Sequence, residues 1–292
     1  MNIFELLDKK FDLCKQIYEL NVLMFSEKGV FTNSGYFCSF SQAFNMQLLR
    51  RWKYAYGRID LVDLMKDIDL PIDNINKPFF PRDEKSSINS LQLAYNMVCY
   101  ARANIDKLGG FRPSQENFII TCFEKMTYIL DKSGMRVVKH QNENYYIIIP
   151  RDEKVKTVAE NTDKDTAFLL YEYTSPLLKG NYKKKREILK LLANKIEPMS
   201  NFYRAKYTSG LGFDIFKDLD LILNNFEIRH SNLDSNIAKN YNEPLSRYTP
   251  KEWEEIYDTA YQMILEAFLV DNYNNVYSKT IQKHKEKTGL RK

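Results

Sequence analysis

Glycine and proline are both scarce in this chain of 292 residues, at 10 and 9 copies. Breakers this rare do not punctuate a β-sandwich or barrel, whose many short strands need many turns. Abundant Leu, Ile, Lys and Glu favour long helices instead. Histidine is rarer still, with three copies, and Cys14, Cys38, Cys99 and Cys122 show no CxxC pairing. That set does not furnish an ordinary zinc site, so no metal is expected. The scattered cysteines read as free thiols of a reducing compartment. The chain has no GxGxxG or GxxxxGK[ST] loop to cradle phosphates, no HExxH and no GxSxG. No cofactor is expected on that footing. No apolar run approaches the roughly 18 residues of a membrane span. The start, "MNIFELLDKK", carries acids and lacks a signal-peptide plan. The expected location is cytoplasmic, away from any membrane.

What is present is bulk and a mild positive charge. Aromatic residues make up 14 % of the chain, and the formal net charge is +5. The charge is clustered, in "KKKRE" at 183–187 and "KHKEKTGLRK" at 283–292. Such runs are solvated helix faces or polyanion contacts. On the second reading Lys183, Lys184, Lys185 and Arg186 stand exposed on one helix face and steer RNA. Acidic pairs such as Asp218 with Asp220 and Glu254 with Glu255 read as solvation of helix surfaces.

The periodicity predicts a mainly α protein, built of helical bundles with one small β-hairpin. Residues 2–27 carry apolar positions at helical spacing, and a second helical stretch covers about 40–57. A short helix is expected around 60–68. Residues 70–85, with three prolines, read as an ordered loop. Ser86 or Ser87 is the candidate cap of the next helix, which stops at Gly109-Gly110. A further helix opens at Pro113 and closes at Gly134. "MRVVKH" and "NYYIIIP" then form the hairpin, ending at Pro150. The polar stretch "RDEKVKTVAENTDKD" suits a hinge between residues 1–150, an N-terminal helical domain, and residues 151–292, a C-terminal helical bundle with a basic tail.

Four helical segments follow. One places Ile188, Leu191, Leu192 and Ile196 on one face and ends near Pro198. Another carries Phe213, Phe216, Leu219, Leu223 and Phe226 on a stripe. The last starts with Thr249 as cap, Pro250 at the first helical position and acids in the first turn. Between these two lies "NNFEIRHSNLD", where Asn225 and Arg229 stand four apart and His230 follows. On a continuing helix Asn225 and Arg229 share a face. The cluster is either a site or a helix end whose Arg and His offset the terminal partial charge.

"NNFEIRHSNLD", followed after a polar loop by "TPKEWEEIYDTAYQMILEAFL", resembles the C-terminal half of HEPN domains over about residues 163–272. That family forms helical bundles and carries an arginine–polar–histidine motif. Its active members are metal-independent ribonucleases, common in toxin–antitoxin and abortive-infection systems that defend bacteria against phage. The resemblance implies an endoribonuclease with His230 as general base on a ribose 2′-hydroxyl and Arg229 with Asn225 steadying the phosphoryl oxygens. It also implies a homodimer and an antitoxin or other defence-system partner protein. The family arginine's place falls on Asn225. The alternative is therefore a non-catalytic HEPN-like module that binds RNA, a nucleotide or a protein partner.

Overall fold

The computed structural model describes residues 11–26, 28–32, 37–55, 58, 60–108, 113–140, 145–206, 211–226, 228–229 and 248–288. The chain is mainly α. It divides into two compact units, Met1–Arg151 and Asp152–Lys292.

In the first unit, α1 (Leu13–Phe25) is capped by Asp12, whose carboxylate accepts from the Lys15 N–H. It buries Ile17, Leu20, Met24 and Phe25. Next come β1 (Lys28–Phe31) and β2 (Phe37–Ser39), a short antiparallel pair with Val30 opposite Cys38. The sequence reading placed no strands here, because runs of four and three residues are too short to display alternation. α2 (Phe40–Gln47) begins with a capping box between Ser39 and Gln42. It ends earlier than the periodicity suggests and gives way to two 3₁₀ turns, Leu49–Arg51 and Lys53–Ala55. Trp52 is buried there against Phe44 and Tyr100.

α3 (Leu61–Asp67) leads into the proline-rich loop. α4 (Glu84–Ala103) is capped by Asp83, with Ser86 completing the box from the third helical position. Neither Ser86 nor Ser87 is the cap itself. The carboxylate one turn earlier accepts from the Ser86 N–H at 2.7 Å, and both hydroxyls donate back to the Asp83 carbonyl. α5 (Pro113–Lys132) closes at Gly134, whose φ of +66° is the left-handed conformation that suits glycine.

β3 (Met135–Lys139) and β4 (Tyr146–Pro150) form the expected antiparallel hairpin, with Val137 opposite Ile148. A two-stranded hairpin is marginal alone. Here α4 covers its outer edge with amides. The backbone N–H groups of Tyr146 and Ile148 donate to Asn96 Oδ1 (2.7 Å) and Gln92 Oε1 (2.9 Å). Asn96 Nδ2 in turn donates to the Tyr146 carbonyl.

The second unit opens where a hinge was expected. Residues 153–160 are instead a helix, α6 (Glu153–Glu160), capped by Asp152 and burying Val155, Val158 and Ala159. α7 (Lys164–Tyr173) and a 3₁₀ turn (Pro176–Leu178) precede α8 (Tyr182–Lys206). α8 runs through Pro198 rather than ending there, and its next turn is anchored by the buried Ser200. Its inner face is Ile188, Leu189, Leu192, Ala193 and Ile196. Leu191 turns out to solvent at 51 % exposure, because it sits one step outside that stripe. α9 (Leu211–Asn225) buries Phe216, Leu219 and Leu223.

α10 (Pro250–Thr288) is 39 residues long. Thr249 and Glu252 form its capping box, as the sequence suggests. Its first five turns carry Trp253, Tyr257, Tyr261, Ile264 and Phe268 into the core shared with α7, α8 and α9. Among the described residues no helix is long and apolar enough to cross a membrane.

Candidate functional site

α9 stops at Asn225, four residues before Arg229, so the two do not share a helical face. The chain folds back instead. Ile228 is fully buried, and the Arg229 N–H donates to the Leu223 carbonyl at 3.0 Å. This backbone bond closes the turn, and the Arg229 side chain is directed elsewhere. Its Nη1 donates to Asp220 Oδ1 at 2.7 Å, and the Ser200 hydroxyl donates to Asp220 Oδ2 at 3.3 Å. The side chains of Arg229 and Asp220 are only 12 % and 10 % exposed. Burial pulls the Arg229 guanidinium below its ordinary value, against the opposing field of Glu197. Nε and Nη2 are buried and have no hydrogen-bond partner among the described residues.

Asp220, expected as a surface acid, is thus the counter-ion of a sequestered arginine. Asn225 is half-buried at the last position of α9. His230 lies outside the described residues.

The basic run at 183–186 is divided by the helical register. Lys183 and Lys184 are exposed, and Lys184 pairs with Glu187 one turn on at 3.3 Å. Arg186 is half-buried. Lys185 does not share the expected exposed face: it stands three and four residues before Ile188 and Leu189 and so points inward with them. Its Nζ donates to Glu254 Oε1 (2.7 Å) and Asp258 Oδ1 (2.8 Å) and lies 5.4 Å from the centre of the Tyr173 ring. The Tyr173 hydroxyl donates to the same Asp258 oxygen at 2.9 Å.

Glu254 also accepts the Gly180 N–H on both oxygens, at 3.0 and 3.1 Å. Gly180 reaches it from the left-handed region, at φ +78°. Burial acts to raise the Glu254 carboxyl, yet Lys185 and the Gly180 N–H together hold it below its ordinary value. For Tyr173 burial and the Asp258 charge work together, and the phenol is pushed far up. Tyr173 stacks on Tyr261 with ring centres 4.1 Å apart, and the Tyr261 hydroxyl donates to the Leu170 carbonyl.

No family model, no curated protein and no solved structure matches this chain. The geometry therefore carries the functional argument.

The Lys185 cluster borders an open pocket of ≈ 500 Å³, with Thr174, Lys179 and Gln262 on its walls. Within the cluster every strong donor is matched. An ammonium held by two carboxylates and an aromatic face is a staple joining α7, α8 and α10. It has no free lone pair for nucleophilic or base chemistry. Among the described residues no three His, Cys, Asp or Glu side chains converge to hold a metal ion. The four cysteines form no disulfide, and Cys38 and Cys122 are buried.

Sequence reasoning missed Asp220, Glu254 and Asp258 as partners of cations. For Lys185 a signal existed, in its register with the apolar stripe. For Arg229 there was none, because its direction depends on where α9 ends.

Proposed function

We propose that this chain is a non-catalytic helical binding module whose C-terminal unit is HEPN-like, and that it acts on a protein partner rather than by cleaving RNA. The observation that carries this reading is the Arg229–Asp220 pair. An arginine that steadies a phosphoryl group must present its fork of donors to the ligand. Arg229 presents one arm to a buried carboxylate of its own fold, and the family arginine's place holds Asn225. The loss of Lys185 to an internal staple removes one of the four cations available to steer RNA. A protein partner has surface to meet: Leu191 on α8, Leu221 on α9 and Tyr273 on α10 are each at least half exposed.

One observation favours the second reading, a metal-independent endoribonuclease. Nε and Nη2 of Arg229, without a partner among the described residues, are donors that a phosphate oxygen would satisfy. Both readings meet in one experiment, incubation of the purified protein with total RNA in EDTA beside His230→Ala and Arg229→Ala. The binding-module reading expects wild type and His230→Ala to be equally inert. Cleavage by wild type that disappears in a normally folded His230→Ala protein replaces it with the ribonuclease.

A further inference from the structure

Residues 28–59 hold no aspartate or glutamate, the longest such stretch of the chain, and five cations: Lys28, Arg50, Arg51, Lys53 and Arg58. Four of these stand within residues 50–58, on the two 3₁₀ turns that follow α2. The buried positions there recur at the 3₁₀ period of three, as Leu49, Trp52 and Ala55. Arg50, Arg51 and Lys53 fall between them and are exposed. The core contacts of Trp52 fix that phase.

The turns are also pinned to α4, because the Tyr100 hydroxyl donates to the Arg51 carbonyl at 2.9 Å. Burial raises the Tyr100 phenol and the Arg51 charge opposes the rise, so the guanidinium stands near that hydroxyl. Met46, four residues before Arg50, is 58 % exposed. Arg58 is engaged by Asp67 at 2.7 Å. Among the described residues no carboxylate pairs with Arg50, Arg51 or Lys53. Their donors are left for a ligand.

We propose that Arg50, Arg51 and Lys53 form a docking platform for an acidic segment of a protein partner, one with an apolar side chain for Met46. Each arginine offers a planar fork that takes a carboxylate through two parallel hydrogen bonds, and Lys53 adds a point charge. The backbone beneath is already fixed, so binding orders little beyond the side chains themselves. Magnitude separates this partner from nucleic acid. Nucleic-acid faces neutralise on the order of 6–10 phosphates, and three cations fall short of that. Arginine, methionine and tyrosine together match protein interfaces, which are enriched in all three. The proposal rests on the binding-module reading and deepens it by naming the partner's chemistry and its place in the first unit.

The test is fluorescence anisotropy with a labelled twelve-residue peptide of repeating Glu-Asp-Leu, at low and moderate salt. Wild type is compared with R50E/R51E and with K183E/K184E, which carries the same change in net charge at a distant pair of lysines. Far-UV melts confirm that each is folded. Wild type is expected to bind the peptide, more weakly as salt rises. R50E/R51E is expected to lose at least tenfold in affinity, and K183E/K184E to stay within twofold of wild type. A peptide with Gln and Asn in place of its acids is expected not to bind. Should R50E/R51E melt early, R50Q/R51Q serves in its place and is expected to weaken binding in the same direction.

Wild type that ignores the acidic peptide at low salt overturns the proposal. So does an equal loss in both charge variants, which marks unspecific attraction. A single-stranded RNA oligonucleotide or phosphatidylserine vesicles bound more tightly than the peptide, and lost in R50E/R51E, assign the platform to that anion and overturn it as well. RNA cleavage is read in a separate assay. Cleavage by wild type therefore leaves the peptide result standing, and loss of peptide binding leaves the non-catalytic reading standing.

Discussion

The two units solve the same problem with different chemistry. In residues 1–151 every fully buried polar residue among those described is neutral, with Asn21, Asn89, Gln92, Asn96 and Gln115 the largest. Their amides reach backbone groups: Asn21 donates to the Phe79 carbonyl, Asn89 to Ile68 and Gln115 to Leu108. In residues 152–292 the buried polar set includes Lys185 and Asp220, and Arg229 is nearly as enclosed. Amides suit a region where loops and strand edges leave backbone groups unpaired, because each amide both donates and accepts. Charges instead join helices whose backbones are already satisfied. The lesson concerns robustness. The amide network is indifferent to pH and salt, whereas the ionic one responds to both and fails heavily when one partner is lost.

The sharpest way to break this contrast is at Asp220. Asp220→Ala leaves the Arg229 guanidinium enclosed without its counter-ion, and a loss of about 3–5 kcal/mol is expected from the urea midpoint. Replacing both partners, as Asp220→Leu with Arg229→Met, is expected to recover most of it. A double variant as unstable as the single one denies the pair its ionic character.

A smaller effect is expected at the hairpin edge. Asn96→Ala strips the Tyr146 N–H and carbonyl of their partner, at about 1–3 kcal/mol in urea. This loss should be the same at pH 5 and pH 8. A pH-dependent loss removes the distinction between the units.

The least disruptive test is Glu254→Gln. The Glu254 carboxyl is held below its ordinary value in the folded state. Its charge therefore contributes stability that is fully present above the ordinary carboxylate range and is lost as pH falls through the folded value. Wild type should melt above Glu254→Gln near neutral pH, with the gap in Tm closing on acidification. A gap that widens toward acid reverses the assignment.

Much of this architecture is legible in the residues. α4, α5 and the hairpin at 135–150 announce themselves through periodicity and through breakers at Pro113 and Gly134. α10 announces its start through Thr249, Pro250 and Glu252. α6 is hidden because only Val155, Val158 and Ala159 mark its inner face, amid charges that look like linker. The candidate site is less legible. Lys185 is chemically identical to Lys183 and Lys184, and only its phase against Ile188, Leu189 and Leu192 tells them apart. Arg229 looks like a surface residue on a continuing helix until the helix is seen to end at Asn225. Helical phase is a property of the sequence, but the point where a helix stops depends on tertiary contacts such as Ile228 in the core.

The two tryptophans of this chain fall one to each unit, Trp52 beside Phe44 and Tyr100, Trp253 beside Tyr257 and Tyr248. Both are nearly enclosed, at 4 % and 7 % exposure. The molecule thus carries an intrinsic fluorophore in each half, each in an apolar setting that emits to the blue and reddens on unfolding. A single Trp-to-Phe replacement silences one half and leaves the other to report alone, so the order in which the halves melt can be followed by emission colour with no added dye.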